Sequence, residues 1–145
     1  MLFRSKDGFS IPYKVVVQES KPILAIDPNA GMCPPNQLYG GIAVFNSVSG
    51  TSNGQIYSWC LCDTGLCPPV DDTQPFPSTQ VGSYTVNFVW DGHTWSGPSD
   101  TMQKPGAPFP PGIYELSVTA QGQYQTATGK APYSMTATLP IQLTP

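Results

Sequence analysis

The chain has 145 residues with a formal net charge of −3, and only 10% of its residues are charged. This length is sufficient for a single domain, 1–145, whose core needs no metal to hold it together. The acidic balance excludes the electrostatic basis for binding nucleic acid, and the lack of any apolar run of about 18 residues predicts no insertion into a membrane.

Glycine and proline are frequent, at 14 and 17 residues, and aromatic residues make up 11% of the chain. Disordered chains are poor in aromatics, so a turn-rich all-β domain explains this composition better. Short stretches alternate with the period of a strand, and no segment has the apolar spacing of a helix. The predicted strands are Ile11–Val17, Ile23–Asp27, Leu38–Ser47, Gln55–Leu61, Ser83–Trp90, Tyr114–Ala120, Gln123–Thr128 and Ser134–Leu143, after a flexible arm at residues 1–10.

Glycine, proline and asparagine predict how these strands begin, bend and turn. Pro12 predicts either that the first strand lies at a sheet edge or that Pro12 itself stands at the start of this strand. The Gly40–Gly41 pair predicts a bulge or bend inside the third strand, and Asn53–Gly54 predicts a hairpin turn. Residues 129–132 are expected to separate the last two strands. In the last strand, the side chains predicted to point inward are Met135, Ala137, Leu139, Ile141 and Leu143.

The stretch Ser83–Ala120 carries the strongest strand pattern. Two alternating segments, with aromatic and β-branched residues on one face, flank a polar connection rich in glycine and proline. Trp90-Asp91-Gly92 ends the first segment in a turn, because Asp bonds its own backbone and Gly supplies a positive φ. The pattern predicts two neighbouring strands of a β-sandwich. Their predicted inner faces carry Tyr84, Val86, Phe88 and Trp90 in one strand and Tyr114, Leu116, Val118 and Ala120 in the other.

This arrangement, Trp90-Asp91-Gly92, a loop, and then Pro110-Pro111-Gly112-Ile113-Tyr114, resembles two groups of bacterial immunoglobulin-like (Ig-like) domains. They are the BsuPI-like intracellular proteinase inhibitors and the Ig-like domain of flagellar hook-capping proteins. The resemblance covers roughly a quarter of the chain and implies an antiparallel Ig-like β-sandwich of about 7–9 short strands. The motifs are architectural, so they bear on the fold more than on an activity. Four cysteines depart from both groups and argue against a cytoplasmic inhibitor.

Cys33, Cys60, Cys62 and Cys67 form an even set, for which three hypotheses are open. The preferred one is two disulfides that fasten the flanking loops, with three pairings possible. A structural zinc site with four cysteine ligands is the second, although such sites normally use two paired Cys-x₂₋₄-Cys knuckles, and here there is one Cys-x-Cys, one Cys-x₄-Cys and an isolated Cys33. Four reduced thiols are the third. Disulfides require an oxidising compartment, so the preferred hypothesis predicts a secreted, periplasmic or cell-surface protein.

Few residues are candidates for chemistry. A nucleophile-and-base site would depend on His93, the single histidine, which directly follows a turn and is interpreted as a surface residue. Asp63, Asp71 and Asp72 share one loop but lack the regular spacing of a calcium loop. The sequence therefore predicts no enzyme, no metal and no cofactor.

Three aromatic residues in predicted loops are the candidate partner-binding residues. Trp95 and Phe109 lie in the connection within Ser83–Ala120, and Phe76 lies between two prolines of the long connection Asp63–Gln80. A loop aromatic either folds back onto the core or is exposed for recognition, and both alternatives are open here. Loops that are polar, aromatic and rich in proline suit recognition of a protein or a glycan.

These observations favour a non-enzymatic extracytoplasmic module for binding, adhesion or assembly, with a protein partner or a glycan. One alternative is a proteinase inhibitor of the BsuPI-like type, which would present Asp63–Gln80 or Met102–Pro111 to a protease cleft. Another is a structural subunit of a surface fibre or appendage. It would polymerise through an edge strand, Ile11–Val17 or Ser134–Leu143.

Overall fold

The structure, a computed structural model, describes residues 2–4, 9–24, 38–60, 78–95 and 104–145. Across these ranges the chain forms strands and no helix, so no helix there could cross a membrane. The prediction of an all-β fold is confirmed. The strands are β1 (Leu2–Arg4), β2 (Phe9–Val17), β3 (Ile23–Leu24), β4 (Leu38–Tyr39), β5 (Ile42–Ser52), β6 (Gln55–Cys60), β7 (Gly82–Trp90), β8 (Gly112–Thr126) and β9 (Gly129–Thr144).

The strands form two sheets of unequal width. The large sheet has the order β1-β9-β8-β5-β4, with β6 also paired to β5 and β3 also paired to β8. The small sheet contains only β2 and β7. All pairings are antiparallel except that of β1, which runs parallel to β9. Residues 2–4 and 9–10, predicted as part of a flexible arm, thus lie in strands of opposite sheets.

The small sheet shows the predicted alternation. Phe9, Ile11 and Val17 of β2 are buried, while the residues between them are exposed or half-buried. Pro12 pairs with Asn87 of β7. Since proline has no N–H to donate, its nitrogen suits the open side of this sheet, as an edge strand requires.

The large sheet is built on one long hairpin. Every residue of β8 pairs with β9, from Gly112 opposite Leu143 to Thr126 opposite Gly129. The predicted break at residues 129–132 is therefore wrong, and the turn lies at Ala127–Thr128 instead. The polar stretch at the end of β8 has no apolar alternation, so only its pairing with β9 makes it a strand.

A pair of glycines makes a turn between two strands, where a bulge or bend within one strand was expected. Gly40 and Gly41 both have positive φ, 59° and 84°, and they connect β4 to β5. Two consecutive positive φ values match the two-residue hairpin turn that accommodates strand twist. The second hairpin turn, predicted at Asn53–Gly54, is confirmed with φ values of 50° and 74°.

Burial changes along β9. Ile141 and Leu143 are 1% and 2% exposed, and Leu139 is half-buried. Ala137 is exposed and Met135 is 70% exposed. The prediction that these two side chains are buried with the rest of the inward-facing set is therefore wrong. The apolar face continues, but the small sheet covers only the part of the hairpin near Ile141.

Aromatic rings fill the core between the sheets. Most of them meet edge to face, a geometry that the aromatic quadrupole favours. Phe109 lies with its ring centroid 4.5 Å from that of Trp90 and 4.9 Å from that of Tyr114. Phe9 contacts Trp90 at 5.0 Å. Thus β7 and β8, predicted to be neighbouring strands, belong to different sheets and meet through the ring of Phe109.

Gly50 on β5 allows Tyr114 to pack against the backbone. A Cβ at position 50 would lie 2.6 Å from Cδ1 of Tyr114 and 3.0 Å from the carbonyl oxygen of Ile113. Because Tyr114 is fully buried, we expect Gly50→Ala to lower the free energy of unfolding by about 1–3 kcal/mol in urea denaturation. The exposed neighbour Ser49 provides the control, since Ser49→Ala should change this free energy by less than about 0.5 kcal/mol. An unchanged denaturation midpoint for Gly50→Ala would contradict the close packing.

Candidate functional site

The connection between β7 and β8 begins and ends as a hydrogen-bonded pair of segments, residues 92–95 and 106–109, hereafter the stem. Phe109 N–H donates to the Gly92 carbonyl at 2.8 Å. Thr94 N–H donates to Ala107 at 2.9 Å, and Gly106 N–H donates back to Thr94 at 2.8 Å. The stem therefore holds the two ends of the connection side by side, and residues 96–103, between them, lie outside the described residues.

The first segment of the stem starts at the predicted Trp-Asp-Gly turn. Gly92 has a φ of 79°, which an L side chain rarely adopts. His93 N–H donates to Oδ1 of Asp91 at 3.0 Å, as the Asx turn requires. Nε1 of Trp90 donates to the His93 carbonyl at 3.0 Å. The buried indole of Trp90 thereby fixes the path of the backbone as it leaves the core.

The second segment returns to the core at Phe109, which is 1% exposed. A few residues later, the hydroxyl of Tyr114 donates to the Pro110 carbonyl at 2.8 Å. Burial also raises the pKa of Tyr114. Because this side chain bonds to backbone four residues upstream, it fixes the entry of the chain into β8.

Trp95 ties the stem to the large sheet. Its backbone N–H donates to the Ser58 carbonyl at 3.1 Å, and its backbone carbonyl accepts from the backbone N–H of Cys60 at 3.0 Å. The half-buried indole packs against the core cluster. Its Nε1 is buried and has no hydrogen-bond partner. Trp95 is thus held at the end of β6 by backbone bonds on both sides.

The three candidate partner-binding residues have different positions. Phe109 is a core residue, so it follows the first alternative, a loop aromatic folded back onto the core. Trp95 is half-buried, with part of its surface open to solvent. Phe76 lies outside the described residues, as does most of Asp63–Gln80, one of the two loops assigned to protease inhibition; of the other, Met102–Pro111, the structure describes residues 104–111. Among the three, only Trp95 is placed by the structure where a partner could contact it.

His93 lies on the stem with a 41% exposed side chain. Its Nδ1 is 3.0 Å from the Asp91 carbonyl oxygen and 3.6 Å from Oδ2 of the same residue. These contacts belong to the turn. In the described ranges, no three metal-binding side chains come together. Asp63, Asp71 and Asp72, the loop acids considered for calcium, lie outside them.

Cys60, the last residue of β6, is the one cysteine within the described ranges, and its thiol is not free. Cys33, Cys62 and Cys67 lie outside these ranges. The pairing of the four cysteines in two disulfides therefore stays a prediction.

A second surface is a groove that was not predicted from the sequence, although β2 and β9, which help to line it, contain the two edge strands predicted as alternatives for polymerisation. This groove, of about 290 Å³, opens between β2 and the large sheet, where it is lined by residues of β5, β8 and β9. Its lining is mostly apolar, with Tyr13 and Val15 from β2, and Met135 and Ala137 from β9. The alternation of apolar residues in the last strand was the available signal, but it was interpreted as a buried face.

Comparison with known proteins identifies no relative. No protein-family model, no curated protein and no solved structure matches this chain. The resemblance to BsuPI-like inhibitors and hook-capping domains accordingly stays a prediction.

Tyr133 on β9 carries a buried hydroxyl with no hydrogen-bond partner. Burial raises its pKa from 10.0 to about 12. The folded state therefore keeps the proton to a higher pH than the unfolded chain does. The preference of the folded state for the protonated hydroxyl of Tyr133 adds to the free energy of unfolding. This addition is complete below pH 10.0 and is lost as the pH rises to about 12.

We expect the free energy of unfolding to fall over this alkaline range by less in Tyr133→Phe than in the wild type. Chemical denaturation at a series of pH values measures the difference. At neutral pH the variant should be no less stable, because it removes an unpaired buried hydroxyl. Tyr124→Phe, on the more exposed Tyr124 of β8, is the control. Identical pH profiles for Tyr133→Phe and the wild type would refute the assignment.

Proposed function

We propose that the chain is a non-enzymatic, extracytoplasmic Ig-like module that binds a protein partner at the stem end of the domain. The observation that carries the proposal is the stem itself. Backbone hydrogen bonds and two buried aromatic residues, Trp90 and Phe109, hold it against the core. A connection held in this way resembles the binding loops that β-sandwich domains present from a rigid scaffold.

The strand pairing supports an Ig-like arrangement. The β6-β5-β8-β9 order matches the C′, C, F and G strands of such domains, and the β2–β7 pair matches B and E. Tyr114, near the start of β8, bonds to the backbone upstream, as in the tyrosine corner at the start of strand F. The chain differs from antibody domains in having no cysteine on β2 or β8.

The chemistry of the stem end favours a protein over a charged ligand. Trp95 offers a partly exposed indole, and Ala107 and Pro108 are exposed beside Thr94. The two described segments of the stem, 92–95 and 106–109, carry no Asp, Glu, Lys or Arg; the charged residues described next to them are Asp91, just before the first segment, and Lys104, just before the second. Aromatic residues with little surrounding charge are typical of the centre of protein interfaces. A glycan that stacks on the indole is the remaining alternative.

The test is a binding selection with the purified chain, using a displayed random-peptide library and a glycan array as probes. Ligands that the wild type selects should bind Trp95→Ala at least about tenfold more weakly, as expected when a central aromatic contact is removed. Tyr124→Ala, an exposed aromatic on β8, is the matched control and should bind normally. Circular dichroism confirms that both variants are folded.

Two results would contradict the proposal. One is a set of selected ligands that bind Trp95→Ala and the wild type equally. The other is peptide or glycan turnover by the purified chain that is lost in His93→Ala, since this would make the stem a catalytic site.

The extracytoplasmic placement rests on the cysteines. We propose that Cys33, Cys60, Cys62 and Cys67 form two disulfides, each stabilising the domain by about 2–5 kcal/mol. Reduction should therefore lower the melting temperature while the β-rich circular dichroism spectrum persists below the transition. Thiol titration of never-reduced protein is the direct measurement. Four reactive thiols, or one bound zinc per chain, would refute the disulfides and remove the support for this compartment.

A further inference from the structure

Among the described strands, none pairs with the outer edge of β9 along most of its length. β1 pairs with β9 only at residues 142–144. From Gly129 to Ile141, no described strand pairs with the side of β9 that faces away from β8. Residues 134–138 are all exposed, the longest such run within any strand of the described chain. An exposed strand edge of this length is a template for pairing with another chain.

The register shows which backbone groups face this edge. Gln125 N–H of β8 donates to Pro22, on the side away from β9. Gln125 pairs with Lys130, so in an antiparallel ladder the even-numbered residues of β9 also direct their backbone groups away from β8. Pro132 and Pro140 fall in this set, where the missing N–H costs no bond within the sheet. Between them, the edge offers the N–H groups of Ser134, Thr136 and Thr138.

The side chains of β9 suit pairing with an identical strand. From Ala131 to Thr144 the strand has no charged residue, although charge is the usual device that keeps edge strands apart. Antiparallel pairing of two copies would place hydroxyl side chains beside each other on one face. One such contact already crosses the sheet, since the hydroxyls of Thr119 and Thr136 lie 3.0 Å apart. On the other face, Met135 and Ala137 would meet their counterparts.

A contact between two copies along β9 would bury apolar surface of the groove. Met135 is 70% exposed and lines the groove beside β2. Pairing along β9 would bring the grooves of the two copies together and remove this apolar surface from water, which favours association. The edge of β2 that no described strand pairs carries Pro12 and Lys14 two residues apart, which oppose strand addition there, whereas the stretch of β9 between Pro132 and Pro140 has neither a proline nor a charged residue.

We propose that two copies of this chain associate through antiparallel pairing of their β9 edges to form one continuous sheet. The same surface serves both copies, so the contact is closed after two chains and produces a dimer, not a fibre. The site lies on β9, and the Trp95 surface lies on the stem beside β6. A test of the dimer and a test of the proposed binding function can therefore fail independently of each other.

The test is the solution mass of the full chain, measured by light scattering from micromolar to millimolar concentration. The wild type should rise from 15.5 kDa towards twice that mass. Met135→Lys should remain a monomer, because it introduces a charge into the contact without altering the monomer core. Ile56→Lys makes the same change at an 82% exposed position on β6, and should behave as the wild type does. Thr136→Pro is a second disrupting variant, since it removes an edge N–H but no backbone bond to β8; it also removes the hydroxyl contact with Thr119.

Hydrogen exchange locates the contact. With rising concentration, the amides of Ser134, Thr136 and Thr138 should become protected, whereas those of Met135 and Ala137, bonded to β8, should be protected throughout. A wild type that stays at 15.5 kDa up to millimolar concentration would overturn the proposal. So would growth beyond two chains, or a dimer lost in Ile56→Lys but kept in Met135→Lys.

Discussion

The contact on which the rest of the structure depends is the edge-to-face packing of Phe109 between Trp90 and Tyr114. Trp90 ends a strand of the small sheet, Tyr114 begins a strand of the large one, and Phe109 belongs to the connection between them. One ring therefore joins the two sheets and the base of the stem. Each such aromatic pair adds about 0.5–1.5 kcal/mol to the free energy of burial. The stem can be held rigid because the same contact that closes the core also fixes both of its ends.

The unequal width of the two sheets leaves part of the large sheet uncovered. Two strands of the small sheet cannot cover a hairpin as long as β8–β9, so burial falls from Ile141 to Met135 along one face. The described part of the domain thereby combines a closed, aromatic end with a strand edge that has no charged residue from Ala131 to Thr144. These two surfaces differ in chemistry, and the proposed partner and the proposed second copy use one each.

Local alternation explains which elements could be predicted. β2, β7 and the Asn53–Gly54 hairpin have apolar faces or turn residues in their own sequence, and these were correctly predicted. The end of β8 and the start of β9 have no such pattern and become strands through backbone pairing alone. At the candidate site, Trp90-Asp91-Gly92 indicated the turn. Nothing in the sequence could show that Phe109 is buried while Trp95 is partly exposed, because this depends on which strand ends lie nearby.

The sequence by itself determined the all-β class, because the period of its side chains permits strands and excludes an amphipathic helix. It also determined the low charge of the chain, with no charged residue from Ala131 to Thr144. Only the tertiary structure decided that β7 and β8 belong to opposite sheets, that the stem is closed by backbone bonds, and that the apolar face of β9 is half uncovered. The physical reason is that period-2 alternation specifies that a face is apolar, whereas contacts between distant segments decide what covers it.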